Sequence, residues 1–123
     1  MQTVSYIERK NFVKFDNEHY MLYLNEEKAE VKNEETGDSV QGYAYTGNHS
    51  DGGTLVEAKD VTDENRRAKF VAGLIGTEYD IDSQIAILAN GSDTDVHAEE
   101  LKSFEAKRRE VKTAIDELLS REL

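Results

Sequence analysis

The stretch VHAEELKSFEAKRREVKTAIDELLSR, residues 96 to 121, decides how the rest of the chain is read. Leu101, Phe104, Val111, Ile115 and Leu118 recur in steps of three and four once Arg108 is counted in the row, which is the spacing of one face of an α-helix. Asp95, Glu99 and Glu100 stand near its start and the basic residues come later, the order that the helix dipole favours. Glu105 with Arg109 and Glu117 with Arg121 form i,i+4 pairs, each contributing about 0.3 kcal/mol. A helix with one apolar face needs a surface to cover, and the residues upstream supply it.

Two shorter helices precede it. Asp80 or Asp82 can cap one that ends at Asn90-Gly91, with Ile81, Ile85 and Leu88 at i, i+4 and i+7. Thr62 or Asp63 can cap another that runs to about Ile75, with Gly76 placed to terminate it. Its Ala68, Val71, Ala72 and Ile75 share a face, which Phe70 and Leu74 widen.

The first half reads as strands: Val4 and Tyr6, Phe12 to Phe15, Tyr20 with Leu22 and Leu24, Val40 to Thr46, and Thr54 to Lys59. Polar breaks fall at Asp16-Asn17-Glu18, Asn25 to Lys28 and Thr36-Gly37-Asp38-Ser39, with a Gly-rich connector at residues 47 to 53 that reads as mobile. The expectation is one α+β domain over residues 1 to 123. An antiparallel meander of four to five strands (3 to 60), with one face apolar and one wet, is covered by three C-terminal helices (62 to 122).

Composition bounds the function. The chain has 123 residues, 15 Lys+Arg against 26 Asp+Glu and a net charge of −11, with no Cys, Pro or Trp. Val, Ile, Leu and Phe make 28 of the 123, just above the roughly 20% below which a highly charged chain stays disordered. The acidity is shared by both halves, with 6 basic against 12 acidic residues in 1 to 61 and 9 against 14 in 62 to 123. That sign argues against direct nucleic-acid binding, which draws on Lys and Arg. No window has the run of roughly 20 apolar residues of a membrane helix, and the N-terminus lacks the pattern of a signal peptide, so a cytoplasmic location is expected. Absence of Cys excludes disulfides, a thiolate nucleophile and Cys-type zinc sites.

Chemistry-bearing residues are few. His19, His49 and His97 stand apart, with no HExxH pair among them. Asp80-Ile81-Asp82 and Asp93-Thr94-Asp95 are paired acids, but neither is followed by the Gly and Glu of an EF-hand loop, and helix capping accounts for them. The connector from Gly47 to Gly53 lacks the Gly-Lys-Ser/Thr ending of a phosphate loop. Tyr43 and Tyr45, two apart, project from one sheet face, either against a helix or as an exposed platform. Lys107, Arg108, Arg109 and Lys112, with Arg66, Arg67 and Lys69, form the basic concentration. Arg108 sits in the apolar row, either laying its stem over the core or marking a seam with a second chain. Tyr43, Tyr45, His49 and Arg108 are thus the candidate interaction surface; no catalytic residue, metal ligand or cofactor is assigned.

From Tyr79 to about residue 119, the Asp-capped short apolar helix, the acidic gap and the aromatic and basic helix resemble the C-terminal helical tail of small phage and prophage tail-associated or fibre-assembly proteins. The resemblance implies a structural or assembly protein with no catalytic residues to carry over. The expected function is a non-enzymatic protein interaction or assembly module with a protein partner, or self-association through the last helix. The alternatives are an acidic mimic that occupies the basic site of a nucleic-acid-binding protein, and a small enzyme or metal site using His49 or His97.

Overall fold

The computed structural model describes residues 1 to 123. Six strands, β1 (Gln2–Tyr6), β2 (Phe12–Lys14), β3 (His19–Leu22), β4 (Glu27–Lys32), β5 (Ser39–Gly47) and β6 (Thr54–Glu57), precede helices α1 (Arg66–Gly76), α2 (Ile81–Asn90) and α3 (Asp95–Ser120). The α+β class and the N-terminal strands followed by three C-terminal helices are as the sequence predicts.

The strands do not form one meander. They build two antiparallel three-stranded sheets, ordered β1-β5-β4 and β2-β3-β6. The extra strand is β4, where only Ala29 and Val31 alternate with charged residues, too weak a pattern to stand out beside its neighbours. Its start lies inside the polar break expected at Asn25 to Lys28: Asn25 turns the chain alone, with φ +56°.

The split follows from the alternation after His19. Leu22 and Leu24 join one core with Val56, Phe70, Ile75, Phe104, Val111, Ile115 and Leu118. Met21 and Tyr23 point the other way and pack on Tyr45, with Tyr6, Tyr43 and Leu55 around them. The β2-β3-β6 sheet is therefore a middle layer, with helices on one face and the other sheet on its back. Residues 21 to 24 are all buried, so the expected wet face does not exist here. A second core of tyrosines covers it, their rings meeting edge-on at 6.2 Å (Tyr6 and Tyr23) and 5.6 Å (Tyr23 and Tyr45).

Helix α1 is pressed onto β6 at Gly73, where a Cβ would meet the Glu57 carbonyl oxygen at 2.6 Å and Val56 Cβ at 3.1 Å. Just before it, Thr62 and Asn65 form a reciprocal capping pair (Asn65 N to Thr62 Oγ1 3.2 Å, Thr62 N to Asn65 Oδ1 2.7 Å). Gly76 is the last helical residue and Thr77, in ordinary right-handed backbone, closes the end by bonding to the Leu74 carbonyl. Helix α3 lies along α1 and contributes Phe104, Val111, Ile115 and Leu118 to the core, each at most 2% exposed. Its row is thus used within the chain and is not free to form a seam with a second copy. The Glu117 to Arg121 pair forms at 2.6 Å, whereas Glu105 and Arg109 do not meet.

Two variants test these contacts by chemical denaturation. Phe104→Ala lowers the unfolding free energy by about 3 to 5 kcal/mol. Gly73→Ala, which forces a methyl against backbone, lowers it by about 1 to 3 kcal/mol, although Ala favours a helix.

Candidate interaction surface

The three histidines are placed apart, each beside one carboxylate: His19 with Asp16 (2.9 Å), His49 with Asp51 (3.4 Å) and His97 with Asp93. No group of three or more His, Asp or Glu side chains is arranged to hold a metal ion. The connector carrying His49 is a tied turn between sheets, not a mobile hairpin tip. Tyr6 Oη donates to the Asp51 carbonyl oxygen (2.5 Å), Tyr23 Oη to Asp51 Oδ2 (2.9 Å), and the Gly53 amide to Asp51 Oδ1 (2.9 Å). Burial works against the Asp51 carboxylate, but the Gly53 amide, the Tyr23 hydroxyl and His49 together hold it below the usual range.

The two tyrosines of β5 share a face, as their spacing predicts, but it is the face between the sheets. Tyr45 is 0% exposed and offers no surface to a partner. Its hydroxyl accepts from the Lys10 amide (2.8 Å) and donates to Glu26 Oε2 (2.8 Å). Tyr43 is half-buried under the Arg9 guanidinium, 5.7 Å from the ring centroid. Arg108 is half-buried with its guanidinium 5.8 Å from the Phe104 ring, the geometry of a stem laid over the core. The basic concentration is partly neutralised: Arg66 pairs with Asp63, Arg67 with Asp116, and Lys107 with Glu78 and Glu110.

Around Tyr45 lies the most buried ionic group of the chain. The Arg121 side chain, 1% exposed, forks onto Glu117 (Nε to Oε1 3.0 Å, Nη2 to Oε2 2.6 Å), and its Nη1 donates to the carbonyls of Tyr23 (2.6 Å) and Lys10 (3.0 Å). Glu26 stands 3.6 Å away and is itself forked by Arg9 at 3.0 and 2.9 Å. Every donor and acceptor has a partner, which makes this a structural clasp. Burial tends to raise the Glu26 carboxyl, but Arg9, Tyr45 and Arg121 outweigh it and hold it low. Burial pushes the Tyr45 hydroxyl up to about 12.

The feature that stands unaccounted for is α2. Asp80 caps it by accepting from the Ser83 amide (2.7 Å), Gly91 ends it with φ +56°, and Gln84 Nε2 donates to the Tyr79 carbonyl oxygen (2.9 Å). It packs chiefly on α3, and Ile87 is its one buried residue. The stripe legible in the sequence faces outward: Ile81 is 68%, Ile85 60% and Leu88 56% exposed, with Val96 of α3 at 66%. On the other flank of α2, away from Ile81, Ile85 and Leu88, a groove of about 870 Å³ runs between α2 and α3, with Tyr79, Ala86, Ile87 and Val96 along it and Asp95, Glu99 and Glu100 on its walls. No helix of the structure is long and apolar enough to cross a membrane.

The clasp contributes to the pH dependence of stability on both the acid and the alkaline side. The carboxyl of Glu26 is lower in the folded chain than in the unfolded one. Its contribution is complete above an ordinary Glu value of about 4.3 and is lost as pH falls through the lowered folded value. Tyr45 acts in the opposite sense: its contribution is complete below its ordinary value of 10.0 and is lost as pH rises through about 12. Thermal melts across pH will show both flanks, and Tyr45→Phe will move the alkaline one. Arg121→Ala leaves the Tyr23 carbonyl without its partner and lowers stability by about 2 to 4 kcal/mol.

No family model, no curated protein and no solved structure matches this chain.

Proposed function

We propose that the protein is a non-enzymatic interaction module that docks another protein on the outer face of α2. The observation carrying this reading is the apolar stripe of Ile81, Ile85 and Leu88, more than half exposed on a helix whose caps and packing hold it in place. Single exposed apolar residues are ordinary, but an aligned set on a fixed helix is a feature of association surfaces. Burying such side chains contributes about 1.5 to 3 kcal/mol apiece, enough for three or four to anchor a complex. The dispersal of the histidines supports the same reading, since no nucleophile, base and orienting acid converge. The phage-like pattern of residues 79 to 119, which includes α2, favours an assembly role.

A photo-crosslinking side chain placed at residue 85 in cells of the native host tests this. It is expected to yield a discrete adduct with one protein, while the same group at exposed Thr36, in the turn between β4 and β5, yields none. Equal or absent labelling from both positions overturns the reading.

A further inference from the structure

We infer that the outer edge of β1 pairs with the β1 edge of a second copy of this chain, joining two three-stranded sheets into one continuous sheet. This goes beyond the α2 reading and rests on where the backbone groups of the strands point. The Thr46 amide of β5 donates to the Leu24 carbonyl oxygen ahead of β4 (3.2 Å), and past the far end of β4 the Asn33 amide donates to the Asp38 carbonyl oxygen (2.7 Å). Even-numbered residues of β5 therefore turn their backbone groups toward β4, and odd-numbered ones turn theirs toward β1. Gln2, Val4 and Tyr6 lie opposite Gly47, Tyr45 and Tyr43, so their amides and carbonyls are used inside the sheet. Thr3 and Ser5 turn theirs outward, on the side where no further strand follows, and both residues are exposed. The turn carrying Gly52 sits over the inner side of β1: a Cβ there would meet the Tyr45 carbonyl oxygen at 2.8 Å and the Val4 amide nitrogen at 3.2 Å, both within the β1-β5 ladder.

The other sheet edges are guarded. By the same alternation the outward positions of β4 are Lys28, Glu30 and Lys32, all charged. β2 has only three residues, and β6 is crossed by α1, whose Gly73 lies on the Glu57 carbonyl oxygen. Charge, shortness and a covering helix are the usual means of blocking an edge. β1 has none of them: it runs for five residues without a charge or a Pro. Charge and symmetry then name the occupant. A two-fold axis at Val4 sets Thr3 opposite Ser5 of the second copy, Val4 opposite Val4, and Gln2 opposite Tyr6, and each Thr3-Ser5 pair exchanges both of its backbone hydrogen bonds. Hydroxyl pairs and β-branched pairs are favourable across a ladder. In a chain of net charge −11 a self-contact is opposed wherever acids face acids, and along β1 no charged side chain faces another. The contact is isologous, so it uses up both free edges and closes as a dimer.

Light scattering on the full chain over a rising concentration series tests this, and the mass is expected to move from one chain to two. Ser5→Pro removes an outward amide without touching the β5 ladder, a place where a strand accepts Pro. It is expected to keep the parent's melt and to abolish the doubling. Because the chain has no Cys, Val4→Cys gives one thiol per chain, set against its twin across the axis. Air oxidation is expected to link two such chains by a disulfide, while Thr36→Cys, in the exposed turn between β4 and β5, stays unlinked. Should Ser5→Pro unfold the chain, the comparison of these two thiols decides. A single-chain mass at every concentration with no Val4→Cys dimer overturns the inference. Doubling that survives Ser5→Pro and is lost in Leu88→Ser moves the self-contact to α2 and overturns it as well. Growth past two chains contradicts the closed pair. Absence of doubling, together with amide shifts at Thr3 and Ser5 when a Thr/Val-rich extended peptide is added, makes a foreign strand the occupant and refutes the second copy. The crosslink at residue 85 reads a different surface, so the two readings fail separately.

Discussion

Everything in the architecture turns on β3 and the two residues after it having an apolar or aromatic neighbour on both sides. Tyr20, Leu22 and Leu24 face the helices while Met21 and Tyr23 face the other sheet, so a single segment belongs to two cores at once. A chain with this few large aliphatic residues gains from that arrangement, because each residue of the segment is buried without a second strand being devoted to the back face. The second core is filled by tyrosines, whose rings bury area and whose hydroxyls need partners. Those partners, Asp51, Lys10 and Glu26, are what fix the turn at residues 48 to 53 and the loop at 9 to 11.

The Arg121 clasp is the polar counterpart of that layer. Its guanidinium reaches the Tyr23 and Lys10 carbonyls from the end of α3, so the long helix is tied to the middle sheet by its row of apolar residues and again at its tip. A buried ion pair contributes little net stability compared with a good hydrophobic contact, but it tolerates little misplacement. The direction of each fork sets where the end of α3 must lie relative to β3. The helix row is thereby held by Tyr79, in the connector between α1 and α2, against Phe104 at a 5.0 Å ring separation, and tied to the middle sheet at its end by Arg121.

What was legible in the sequence is whatever local chemistry decides. The α3 row, the Asp80 cap and the Gly91 stop are read from side chains that act within one turn, and all are found; Thr62 bonds Asn65 in the turn before α1, while Asn65 stands at the helix start without a side-chain cap. The division of the strands into two sheets depends on which distant segments pair, and β4 offers little apolar signal to announce it. Tyr45 shows the same limit. Its spacing from Tyr43 gives the shared face, but whether that face meets helix, water or another sheet is decided by residues 6 and 23. Arg121 looked like half of an ordinary surface pair with Glu117, because its other partners are carbonyls some hundred residues earlier. The α2 stripe is legible as a stripe, but its outward direction is not, since periodicity fixes a face and leaves its orientation open. The acidic run from residue 78 to 100 lies within a half whose overall balance, 9 basic against 14 acidic residues, hides it.

The clasp has a consequence for how the chain is made. The bond from Arg121 to the Lys10 carbonyl spans 111 residues, and β1 finds its partner only in β5, some forty residues later. As the polypeptide leaves the ribosome, β1 therefore emerges well before its partner, and the Lys10 and Tyr23 carbonyls stay unclasped until the last helix is synthesised. Topology of this kind slows folding and lengthens exposure to non-native association.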